Sequence, residues 1–244
     1  MRKNLIFALM ALGILATACN EKDVIYDMAR FDRAYVPALA LTEEKDSTGQ
    51  SVLAVKRLKQ DWAVLSGKYA QVLALDGASE DINRNLDRAD MLITTGDFRG
   101  AHKELEPIGS ILLRARKKHG IDYFMDYMTA FHSSLERAVA ILDNRVPATL
   151  TEEDVSVISG LLPDIRTRWN AVAEAPFDRT AFLFDKETET SLRSALAEEA
   201  KAIDNMDAAL RSGNHKLIFK HALLLREGYQ RVFRMFGNFE SVSI

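Results

Sequence analysis

The chain has 244 residues, one cysteine and a formal charge of −3 at pH 7, which argues against a nucleic-acid partner and rules out an internal disulfide framework. Its 5 prolines and 12 glycines are too few for a turn-rich all-β chain, so long helices are expected. The first nineteen residues set the compartment. Arg2 and Lys3 precede an apolar run, Leu5 to Leu15, that is short for a bilayer span, and Ala16-Thr17-Ala18 supplies small residues ahead of Cys19. That order is a secretion signal and not a transmembrane anchor.

The stretch Leu15-Ala16-Thr17-Ala18-Cys19 resembles the lipobox of bacterial lipoproteins. The resemblance implies acylation of Cys19, cleavage before it, and a membrane partner reached through the acyl chains, each buried methylene contributing about 0.8 kcal/mol. Asn20 in place of an inner-membrane retention aspartate implies the outer membrane, with the body facing the periplasm. Removing residues 1–18 takes away Arg2 and Lys3 and leaves 226 residues at a formal charge of about −5, long enough for a sizeable core.

Residues 19–27 read as a polar tether. Phe31, Tyr35 and Leu39 recur every four residues and predict a docked helix over 28–45, interrupted near Pro37. Val52, Val55, Leu58, Trp62, Leu65, Tyr69 and Val72 trace the next apolar face. Ser79-Glu80-Asp81 predicts an N-cap before Ile82, Leu86, Ala89 and Ile93. Gly96-Asp97 closes that helix and caps another, which carries Ala101 to Ala115, kinks at Pro107 and ends in the basic run Arg114 to His119. In the second half, Asp122 and then Thr151 with Asp154 predict caps for two further helices. The loop Pro176 to Asp185 holds Phe177, Phe182, Leu183 and Phe184, and two last helices meet at Gly213-Asn214, the second bearing Leu217, Ala222, Leu225, Tyr229, Val232 and Phe236 on its apolar face.

A shift of 117 residues places 86–120 on 203–237 and matches Asp87 with Asp204, Asp90 with Asp207, Gly96 with Gly213, Lys103 with Lys220, Arg114 with Arg231 and Gly120 with Gly237. Each half also has one tryptophan, Trp62 or Trp169, within an earlier helix. The expected fold is all-α: two tandem antiparallel helical-bundle units, 28–120 and 121–240, read as an internal duplication. A helix, a Gly-Asp turn and a last helix ending in a basic His-containing segment resemble the final hairpin of cytochrome c′-type four-helix bundles. That family attaches haem through two cysteines, and Ala115 and Lys118 occupy those places here, so covalent haem is excluded and the resemblance bears on fold.

His102 and His119 fall on different faces of their helix, as do His215 and His221. No Glu-x-x-His or His-x-x-x-His pair occurs, which counts against di-iron and zinc-protease chemistry. Met128, His132 and Glu136 share a face at four-residue spacing and could hold copper; copper or non-covalent haem is the cofactor alternative to none. The Arg114 to His119 cluster reads either as a phosphate or lipid-headgroup site or as a complement to the helix dipole. Phe177, Phe182 and Phe184 either plug a bundle end or form an exposed patch for an envelope protein partner. No residue pattern points to catalysis, so a membrane-anchored protein acting by binding is expected, with a metal or small-ligand carrier as the alternative.

Overall fold

The computed structural model describes residues 21–44, 48–69, 77–143 and 145–242. Among them the chain is helical, without strands: α1 (Glu21–Glu43), α2 (Thr48–Tyr69), α3 (Ala78–Thr94), α4 (Phe98–Leu105), α5 (Pro107–Lys118), α6 (Phe124–Asp143), α7 (Glu152–Glu174), α8 (Lys186–Ser212) and α9 (His215–Arg234). None of the described helices is long and apolar enough to cross a membrane. In the first unit α1 packs on α2, α2 on α3, α3 on α4, and α4 back on α1. In the second, α6, α7, α8 and α9 close a ring in the same order.

The two rings share side-chain detail as well as order. Lys59 on α2 bridges Asp87 and Asp90 on α3 at 3.0 and 2.7 Å. Arg166 on α7 reaches Asp204 and Asp207 on α8 in the same way. Each cation stands three residues before its unit's tryptophan. Trp62 and Trp169 are both buried, each packs on a phenylalanine of the unit's first helix, Phe31 or Phe131, and each indole N–H donates to the unit's third helix, to Asn83 or to the Leu196 carbonyl. Gly96 and Gly213 both take the left-handed conformation that closes a helix, and Asp97 and Asn214 cap the helix that follows. The matched pair Gly120 and Gly237 diverges: Gly120 has φ +67°, whereas Gly237 is not left-handed and instead lies so near Val36 and Pro37 that a Cβ would meet both at 2.9 Å.

Prolines interrupt the chain less than their number suggests. Pro37 lies inside an unbroken α1, because the Arg33 carbonyl it frees accepts from the Asn238 backbone N–H at 2.9 Å. Pro107 does break its helix, and the Tyr35 hydroxyl mends the gap, lying 3.2 Å from the Leu105 carbonyl while accepting from the Gly109 N–H at 3.2 Å.

Four local expectations are corrected. Residues 21–27 are not a tether but the first turns of α1, with Val24 buried. The residue preceding α3 is Gly77, in a left-handed conformation, and Ser79 lies within the first turn. Asp122 accepts from the Tyr127 hydroxyl and does not cap α6. Val52 and Leu217, assigned to apolar faces, are 44% and 39% exposed. Residues 1–20, which hold the expected signal segment 1–18, Cys19 and Asn20, lie outside the described residues.

Candidate functional site

The aromatic loop is not an exposed patch. Phe182 and Phe184 are buried, and Phe177, half-buried, stacks on Phe182 at 5.5 Å. Phe124 and Phe236 complete the knot at 5.2 Å from each other, with Phe236 5.0 Å from Phe182. Tyr123 stacks on Phe182 from the junction of the units, and Arg33 donates to the Phe182 carbonyl. The rings seal the end of the second bundle, since large apolar side chains on a loop between two long helices gain more from covering the core than from facing water. Only Leu183, at φ +58° and 68% exposed, remains outside.

The metal trio is also separated. Met128 is fully buried in the core, whereas His132 and Glu136 are half-buried and paired, Nε2 to Oε1, at 3.4 Å. Among the described residues no three His, Cys, Asp or Glu side chains are grouped to hold a metal ion. One member of the basic run departs from both readings given for it, while Lys117 and Lys118 stand exposed in the last turn of α5 as complements to its dipole. Arg116, four residues after Leu112 on the apolar stripe, turns inward and is 2% exposed. It grips Asp126 through Nε and Nη2 and lies over the Tyr123 ring. Tyr123 in turn donates to Asp32 at 2.5 Å. Burial raises the Asp32 carboxyl to about 6, although the Arg116 charge and the Tyr123 hydroxyl favour its ionised form.

His132 and Glu136 stand on the wall of a cleft of about 860 Å3 between the units, formed by the end of α1, by α4, and by α6 and α9. His102 lines the opposite wall. Its Nδ1 is 3.0 Å from the Leu39 carbonyl; a carbonyl can only accept, so Nδ1 carries the proton and Nε2 is left as the acceptor of the neutral ring. The His132 ring stacks on Tyr229 at 4.8 Å. Arg226 lies 2.9 Å from Asp143 and 4.0 Å from Glu136. Burial alone would raise Glu136, but the His132 hydrogen bond and the nearby His132, Arg226 and His102 charges bring it below the usual glutamate range. Glu43 accepts from Gln230 at 3.0 Å, and Glu44 pairs with Arg234 at 2.5 Å.

The cleft can therefore bind through charge of both signs, two oriented imidazoles and an aromatic floor, within the size range of small-molecule sites. Sequence reading flagged His102, His132 and Glu136 as residue types, and Tyr229 only as part of an apolar face. Glu43, Glu106 and Arg226 carried no local signal, because what makes them neighbours is the docking of one unit on the other.

Comparison with protein-family models, with curated proteins and with solved structures returned no match.

Proposed function

We propose that this protein is an envelope lipoprotein, anchored by acyl chains on Cys19, whose helical body acts by binding a ligand or partner in the cleft between its two units. The observation that carries the binding role is the cleft itself: an 860 Å3 opening lined by His102, His132, Glu136, Arg226 and Tyr229, where packing alone would favour closure over charged walls. The anchoring role rests on Arg2, Lys3, the apolar run and Ala16-Thr17-Ala18 ahead of Cys19. The outer membrane, with the body in the periplasm, follows from Asn20. We read the repeated Lys59 and Arg166 bridges and the matched tryptophans as the trace of a duplicated unit.

Two measurements test this function. Cys19→Ser should abolish incorporation of labelled palmitate and shift the protein out of its normal outer-membrane fraction; unchanged fractionation of an unlabelled variant would end the lipoprotein reading. The His102 and His132 ring resonances should move when the protein is titrated with a low-molecular-weight envelope extract, and rings that stay silent would remove the cleft. The carrier alternative, built on His132 and Glu136 with copper or non-covalent haem, is tested by metal analysis and the visible spectrum of protein purified from its own envelope. Stoichiometric copper or a Soret band would favour it.

A further inference from the structure

Tyr229 lies at the floor of the cleft, 6% exposed. Its ring is fully engaged, stacked on His132 and on Phe233 at 5.6 Å. Its hydroxyl, by contrast, makes no hydrogen bond among the described residues. Among the described residues the fully buried side-chain atoms without a partner are on Glu199 and His221, so the Tyr229 oxygen is reached from the cleft, where a bound donor can meet it.

Three carboxylates from different segments line the same cleft as that hydroxyl, Glu136 on α6, Glu106 at the break between α4 and α5 and Glu43 at the end of α1, and after burial and Tyr35 they too oppose its ionisation. Their own partners leave much of the negative charge in place. Glu43 is met by the uncharged amide of Gln230, Glu136 by an imidazole, and Glu106 has no ion-pair partner among the described residues. Arg226 is closer to Asp143 than to Glu136. Across the lining there are six carboxylates against four lysine and arginine side chains.

The cations divide in two. Arg226 and Arg234 are paired, with Asp143 and Glu44. Arg99 and Lys103 are exposed, stand one helical turn apart on α4, and have no carboxylate partner among the described residues. Like charges at that spacing repel, and an anionic group between them relieves the repulsion.

We propose that the cleft binds a small zwitterion, its ammonium group seated on the Tyr229 hydroxyl among Glu43, Glu106 and Glu136, and its anionic group held by Arg99 and Lys103. This deepens the binding function proposed above and rests on it. An ammonium group brings three donors and no acceptor, which suits one phenolic oxygen surrounded by carboxylates. The anionic end can be the carboxylate of an amino acid or peptide or the phosphate of a phosphoethanolamine headgroup.

The test is calorimetric titration of the full lipid-anchored chain in non-ionic detergent at low salt. The probes are 6-aminohexanoate and glycerophosphoethanolamine, with cadaverine and glutarate as controls that carry charge of one sign only. At least one zwitterion should bind at a single saturable site, and the tighter of the two identifies the carboxylate or phosphate source. Cadaverine and glutarate should each bind about tenfold more weakly or worse, and Tyr229→Phe and Glu106→Gln should each weaken the zwitterion about tenfold, the scale of one hydrogen bond to a charged group. Lys103→Gln should weaken the zwitterion and not cadaverine, whose second ammonium group that lysine repels. Glu104→Gln, whose carboxylate faces Arg88 outside the cleft, should change nothing. Circular dichroism and thermal melting confirm that each variant is folded. Glutarate binding best, or zwitterion binding indifferent to Tyr229→Phe and Glu106→Gln, would overturn the proposal. If no probe binds while His102 and His132 still respond to envelope extract, the zwitterion is wrong and the cleft stands; if both tests are silent, the cleft itself falls.

Discussion

Glu199 is the place where a small chemical change should have the largest effect on stability. It sits on the apolar stripe of α8, 1% exposed, and neither carboxylate oxygen has a hydrogen-bond partner. Burial raises its pKa from 4.5 to about 8, opposed only by the Arg231 charge. Between those two values the unfolded chain releases a proton that the folded protein keeps. Stability from this group is therefore full below pH 4.5, falls as pH rises to 8, and is flat above. The slope is about 1.4 kcal/mol per pH unit, and the whole loss is on the order of 5 kcal/mol. Glu199→Gln keeps the shape and removes the ionisation. It should match the wild type near pH 4.5 and exceed it by several kcal/mol at pH 8. Urea unfolding at each pH from 5 to 9, followed by tryptophan fluorescence, measures the difference; Trp169 reports locally, since its indole donates to Leu196 one turn away. Asp32, also raised by burial, contributes equally to both proteins and cancels. Parallel stability curves for wild type and Glu199→Gln across pH 5 to 8 would refute the reasoning.

Three further outcomes are expected. Gly228→Ala would place a Cβ 1.9 Å from Glu199 Oε2 and should cost about 1–3 kcal/mol, a loss largely relieved in a Glu199→Ala background; additive losses in a double-mutant cycle would show that the two residues do not meet. Phe182→Ala removes a buried ring from the aromatic knot and should cost about 3–5 kcal/mol by urea unfolding, whereas a change below about 1 kcal/mol would restore the exposed-loop reading. Arg116→Met leaves Asp126 buried without its cation and should destabilise by about 3–5 kcal/mol. Adding Asp126→Leu should recover much of that, and no recovery would mean the arginine acts through packing and not through charge.

Helix positions were legible because they follow from short-range physics. The apolar stripes, the Thr151 and Asp154 capping box and the Gly96-Asp97 and Gly213-Asn214 turns each depend on residues within one or two turns of one another. The 117-residue match pointed to paired units for the same reason, since turn and stop residues keep their local geometry wherever they occur. Arg116 and Glu199 were half legible: periodicity puts both on buried faces, but only the fold shows that one is gripped by Asp126 and the other is alone against Gly228. The phenylalanine loop had no period to read, and its burial depends on Phe124 and Phe236, 58 and 54 residues from Phe182 in the chain. The cleft was not legible at all. Glu43, Glu106, Glu136 and Tyr229 come from four separate segments, and their convergence is set by how two bundles dock, a long-range result of side-chain packing that no local spacing encodes.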